Sequence, residues 1–307
     1  MASQGIFRGR LLVVAFEGWN DAGEAASSTV RLLLDQLEVI PLATFESENF
    51  YDFQQVRPVA SFDADGKRVI TWPSTVLYAP MVPNAAPPSI ASDAQMDVTG
   101  ANISNIYLLL GAEPSRNWQT FAAEVIDLAL AADISGIVFL GALLAEVPHT
   151  RPIPIFISSE NASVRSQFDV ERSSYEGPVG ILAVLADGAE RAGIPTMSLW
   201  ASVPHYVHHA PSPKATLAIV DRLEEIIDVT IPRGTLVDES EAWATNVDVL
   251  SDEDDDMAAY IRGLEQSRDA FDSPEASGEA LAQEFERFLR DSDSEGEQPP
   301  GATPPAI

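Results

Sequence analysis

Three of the chain's four histidines fall within five residues, His205-Tyr206-Val207-His208-His209, directly after Pro204. Imidazoles at that density could ligate a metal or carry a proton. A metal needs further ligands that converge, and an extended chain puts His205 and His209 on one side and His208 on the other. The competing reading is a polar loop of hydrogen-bonded or exposed imidazoles, and no metal is expected. A second cluster lies near the start: Glu17-Gly18-Trp19-Asn20-Asp21, with Glu24 three residues on. A strand, a glycine-containing turn and a helix N-terminus can hold an anion on free amides. Here Glu17 and Asp21 would repel phosphate, and the spacing matches neither GxGxxG nor GxxxxGK[ST]. Asp21 and Glu24 also fit a helix capping box, which needs no ligand. The candidate ligand-binding residues are therefore Glu17, Trp19, Asn20, Asp21, His205 and His208. No catalytic residue is assigned: carboxylates are too common here to single out an acid/base pair, and no GxSxG elbow is present. No cofactor is expected.

These residues need elements to position them. Leu11–Phe16 is an uncharged apolar run that reads as a buried strand. A helix follows from about Asp21 to Glu38, with Ala22, Ala25, Ala26, Val30, Leu33, Leu34 and Leu37 apolar. Val39–Phe45 reads as a second strand, and Glu46–Pro58 as an irregular aromatic segment. Asp63–Gly66 resembles a hairpin turn before strands at Arg68–Trp72 and Thr75–Tyr78. Met81–Gly100 is a loop rich in Pro, Ala, Ser and Asp. Strands are then expected at Ser104–Leu110, Gly136–Leu140, Ile153–Ile157 and Thr196–Val203. Helices are expected at Trp118–Ala132, Pro178–Ala192 and Pro213–Val229, with a helical turn at Ser163–Phe168. His149 and Arg151 fall in a loop, Gly141–Pro152. This alternation predicts an α/β fold, a largely parallel sheet flanked by helices. Weaker helices at Glu239–Leu250, Glu253–Arg268 and Ala276–Leu289 follow, as a helical C-terminal extension.

The expected divisions are an α/β body at 1–235, an acidic helical extension at 236–290 and a disordered acidic, proline-rich tail at 291–307. The chain has 307 residues, 47 acidic against 18 basic, for a net charge of −29. More than half of that excess lies in 238–307, in runs such as Asp252–Asp256 and Asp291–Glu297. Such a charge argues against binding nucleic acid or anionic membrane and favours partners with basic surfaces. The absence of cysteine rules out disulfides and thiolate chemistry. With no membrane-length apolar run and no signal-peptide pattern, a soluble cytoplasmic protein is expected.

Six segments, in this order and spacing, carry a family resemblance: Phe16–Ser27 (FEGWNDAGEAAS), Tyr51–Pro58 (YDFQQVRP), Arg68–Pro73 (RVITWP), Gly141–Arg151 (GALLAEVPHTR), Tyr175–Leu182 (YEGPVGIL) and Gly193–Pro213 (GIPTMSLWASVPHYVHHAPSP). Together they resemble the proteasome assembly chaperone 2 family, in its actinobacterial-type members. The resemblance implies a body related to the nucleoside-phosphorylase-like fold, a homo-oligomer, and proteasome or other protein subunits as partners. It supplies no catalytic residues. Some relatives dock through a C-terminal hydrophobic–Tyr–any-residue tail; this chain ends Pro305-Ala306-Ile307, so that mode is not expected. The resemblance implies a non-enzymatic, chaperone-like interaction protein. The alternative is a nucleoside- or nucleotide-type binding protein, or an enzyme, using the loop after the first strand.

Overall fold

The computed structural model describes residues 6–46, 48–81, 105–208 and 210–272. Nine strands and seven α-helices occur among them: β1 (Arg10–Glu17), α1 (Ala25–Gln36), β2 (Val39–Phe45), β3 (Val59–Phe62), β4 (Arg68–Thr71), β5 (Thr75–Pro80), β6 (Ile106–Ala112), α2 (Trp118–Ala131), β7 (Ile134–Ala145), β8 (Ile155–Ser158), α3 (Ala162–Phe168), α4 (Ile181–Arg191), β9 (Thr196–Pro204), α5 (Pro213–Ile227), α6 (Leu236–Asp252) and α7 (Asp255–Phe271). Seven strands form one sheet in the order β2-β5-β6-β1-β7-β9-β8. Pairing is parallel from β6 through β1 and β7 to β9, and antiparallel where β5 meets β2 and β6 and where β8 meets β9. Five of the seven strands thus run one way, and the α/β reading holds.

The apolar run of β1 becomes a central strand because both of its faces are covered. Leu11, Val13 and Ala15 pack with Ala26, Val30 and Leu33 of α1 and with Ile219, Val220 and Leu223 of α5. Leu12, Val14 and Phe16 pack with Phe121 and Val125 of α2 and with Leu182 and Leu185 of α4. Phe16 meets Phe121 edge-on at 5.9 Å. Burying each such side chain contributes roughly 1.5–3 kcal/mol. Alternating side chains therefore fix the sheet between two helical layers, and a one-residue slip of β1 would exchange the two cores.

Three expectations change. Helix α1 starts at Ala25, after a short 3-10 turn at Ala22–Glu24, because Gly23 (φ 59°) and Glu24 (φ 51°) are left-handed. A Cβ on Gly23 would lie 2.9 Å from Ser212 Cβ, so the turn needs glycine on both counts. Strand β7 is twelve residues long, not five, because it stays in register with β9 as far as Ala145 and Pro204. The first part of the expected 141–152 loop is therefore strand. The expected hairpin is present as a separate two-stranded sheet of β3 and β4, turning at Gly66 (φ 75°), and its first arm had no clear sequence signal. The expected helix at Ala276–Leu289, the tail at 291–307, most of the Met81–Gly100 loop and His209 lie outside the described residues.

Candidate functional site

Strands β1, β6, β7 and β9 end on one edge of the sheet, at Glu17, Ala112, Ala145 and Pro204. After β1 the chain turns into α1 on one face; after the adjacent β6 it turns into α2 on the other. This divergence opens the crevice where α/β sheets hold ligands. Asn20 and Glu113 fill it from its two sides. The Asn20 side chain is only 1% exposed. Its Nδ2 donates to Glu113 Oε1 at 3.0 Å, and the Ile181 amide, at the start of α4, donates to the same oxygen at 3.0 Å. A carboxylate from the β6 end thus sits where the free amides and dipole of α4 favour an anion. The Asn20 carbonyl accepts from the Ala142 amide at 2.8 Å, which ties the turn to β7.

Asp21 works beside it, also buried. Its Oδ1 accepts from the Ala26 and Ser27 amides at 2.8 and 3.1 Å, capping α1. Burial raises its pKa above the ordinary carboxylate value, opposed by the bonds from Ser27 and Ala26 and by the charge of Arg31. The expected capping box is therefore corrected in one half. Asp21 caps, but the left-handed Glu24 cannot reach back, and its carboxylate lies 3.7 Å from Arg31 instead. Arg31 also binds Glu17 and donates to Ser27 Oγ at 2.8 Å. Glu17 and Glu24 therefore converge on a guanidinium about two helical turns into α1. Trp19 stands exposed at the rim.

His205 and His208 belong to a second cluster. His205 Nδ1 lies 3.4 Å from the Ala145 carbonyl, and its ring meets Tyr206 and Tyr260 edge-on. His208 Nδ1 lies 2.7 Å from the His205 carbonyl. The described imidazoles thus face tyrosines, carbonyls and one aspartate rather than a shared centre. Their neighbour His149 is the buried histidine. Its Nδ1 sits 2.8 Å from Tyr206 Oη, its amide donates to that oxygen at 2.7 Å, and its Nε2 lies 2.9 Å from Asp248 Oδ1 on α6. Burial pushes the Tyr206 hydroxyl up to about 12. Lys214 donates to the His149 carbonyl, and burial lowers its pKa. Arg151 grips Asp269 on α7 through Nε and Nη2, at 2.7 and 2.8 Å, and meets Glu265 at 3.3 Å. The histidine loop is a joint that straps α6 and α7 across the ends of β7 and β9.

The structure thus brings Asn20 to Glu113 and α4, Asp21 to α1, Glu17 to Arg31, and His205 to Tyr260 of α7. Glu113, Arg31, Tyr206 and Asp248 carry no sequence signal of their own. Glu113 could have been suspected from its place one residue beyond β6, matching Glu17 at the end of β1.

The fold and site define an α/β protein whose strand-end crevice is occupied by its own helix caps, with a helical strap beside it. The sequence profile of the PAC2 family matches residues 15–251, and the chain belongs to that family. A PAC2 family protein from Streptomyces avermitilis is 40% identical, with 82% of this chain and 99% of that one aligned and a TM-score of 0.68. A proteasome-assembly chaperone homologue from Mycobacterium tuberculosis is 36% identical, with the same coverage and a TM-score of 0.68. An archaeal proteasome activator from Pyrococcus furiosus shares the fold, at 12% identity over 80% of this chain and 93% of that one, with a TM-score of 0.59. No curated protein matches the sequence.

Proposed function

We propose that this chain is a non-enzymatic, chaperone-like interaction protein of the cytoplasm, working as a homo-oligomer on proteasome or other protein subunits. The observation that carries this reading is the Asn20–Glu113–Ile181 contact. The crevice that would hold a substrate in such a sheet contains the Asn20 amide bonded to the Glu113 carboxylate, which in turn accepts from the Ile181 amide of α4. Family membership and the mycobacterial relative's description support the chaperone-like direction. The test is a pull-down with the tagged full chain from native lysate. Recovery of proteasome or other assembly subunits is expected, and a clean preparation that recovers none overturns the reading.

One observation favours a second reading, a nucleoside- or nucleotide-type binder or enzyme using the loop after β1. Asn20 Oδ1 and Ser202 Oγ are buried without a hydrogen-bond partner among the described residues. Buried polar atoms of that kind call for a partner. A thermal-shift screen of nucleosides, nucleotides and phosphate tests it, since a ligand of the native state raises the melting temperature by linkage. Uniformly flat results sink the second reading.

A further inference from the structure

The β3–β4 hairpin stands apart from the main sheet, and its surface is poorly suited to water. Phe62 is 75% exposed and Val59 64%, and Ile70 and Trp72 are about half exposed. The register pairs Ala60 with Ile70 and Phe62 with Arg68, so Phe62, Ile70 and Arg68 share one face. Trp72 anchors the base of the hairpin edge-on against Phe53 at 4.7 Å. A lone two-stranded hairpin is marginal in water, and apolar exposure on this scale marks a contact surface.

Its charges suggest what it meets. Arg8, Arg10, Arg31, Arg116, Arg151, Arg172, Arg191, Arg222, Arg233 and Arg268 each pair with a carboxylate. Arg57, Lys67 and Arg68, exposed on and beside the hairpin, have no such partner among the described residues; neither does exposed Arg262 on α7, while Arg165 and Lys214 donate to carbonyls. Asp63 in the turn is already engaged, its Oδ1 accepting from the Asp65 and Lys67 amides at 3.1 and 2.8 Å. Asp65 is exposed there as well, so the hairpin with Arg57 carries a net charge of +1, and on a chain of net charge −29 an apolar patch of that sign can offset repulsion between two copies. Its complement lies elsewhere on the same chain. The end of α6 exposes Val249 and Leu250, the latter 66%, and the turn into α7 follows with exposed Glu253, Asp255 and Asp256. Asp254 between them is used as the α7 cap.

We propose that the β3–β4 hairpin of one copy docks on the α6–α7 turn of a second copy. Phe62 and Ile70 meet Val249 and Leu250, and Arg57, Lys67 and Arg68 face Glu253, Asp255 and Asp256. The contact is head-to-tail, so it closes into a ring or extends into a filament according to the rotation it imposes. This assignment rests on the homo-oligomer reading above.

Sedimentation and light scattering of the full chain, over a concentration series at low and high salt, test both. The wild type is expected to associate, more weakly as salt rises. The hairpin variant (Arg57→Glu, Lys67→Glu, Arg68→Glu) and the turn variant (Glu253→Lys, Asp255→Lys, Asp256→Lys) should each raise the dissociation constant at least tenfold. The turn variant also lowers the total negative charge, so general repulsion does not explain its loss. The chain carrying all six changes should regain assembly, a rescue that a folding defect does not give. A wild type that stays monomeric overturns the homo-oligomer reading and this contact together. An oligomer that neither reversal disturbs overturns the contact alone. Dissociation without rescue overturns the α6–α7 turn as the mate. Self-association untouched while a captured subunit is lost overturns a second copy as the occupant.

Discussion

At the scale of single residues, the decisive pair is Asn20 and Gly180. A Cβ on Gly180 would lie 2.6 Å from Asn20 Oδ1 and 2.7 Å from Nδ2. The carboxamide has little room to retreat, because Nδ2 is held by Glu113 and the Asn20 carbonyl by Ala142. Gly180→Ala should therefore destabilise the chain by about 1–3 kcal/mol, the usual range for overpacking a filled site. Urea denaturation measures it, and a double-mutant cycle with Asn20→Ala should recover most of the loss. An unchanged midpoint for Gly180→Ala would mean the crevice is looser than described. Asn20 could be picked from the sequence because it sits at a strand-to-helix turn. Its partner could not, because Glu113 is 93 residues away and nothing local marks it as a helix cap.

At the scale of elements, α6 and α7 meet the body through ion pairs as well as packing, with Leu236, Val247, Ile261 and Leu264 buried. Arg233, between α5 and α6, binds Glu224 and Asp221, and Arg151 binds Asp269 of α7. Glu224 has its pKa lowered below 4.5, first by its hydrogen bond from Arg233, and Asp269 below 3.8, first by its bond from Arg151. The sign follows from linkage. A depressed native pKa gives stability that is complete above the unfolded value and is lost as pH falls through the native value. Asp21, raised by burial, shifts the opposite way and is not weakened by acid in the same manner. Lowering pH from 7 to below about 4 should therefore release α6 and α7 before the central sheet opens. Hydrogen exchange read by segment checks this. Simultaneous loss of protection in α6, α7 and β1 would refute an independent strap. The two helices were expected from periodicity to within a few residues at each end. That His149, Tyr206 and Asp248 would join them to β9 was not, since that joint spans 99 residues of chain between His149 and Asp248.

Across the whole molecule, the net charge of −29 keeps copies apart except where a basic patch meets an acidic one, which is the physical basis of the hairpin contact. No helix among the described residues is long and apolar enough to cross a membrane. The acidic, proline-rich composition of 291–307 predicts that limited proteolysis removes that segment and leaves a folded core; protection of 291–307 would refute it. By itself the sequence determined the strand–helix alternation, the burial of β1 and the family, because apolar periodicity and ordered local motifs survive reading in one dimension. Residues such as Asp21 announced a helix cap for the same reason. Only the tertiary structure decided that β8 runs against the sheet and that β7 is long. It alone decided that Glu113 caps α4 and that the histidine loop is a joint. These depend on which segments meet across tens of residues, and on the burial and pairing that follow. Side-chain chemistry acquires a role only when its partner is in place.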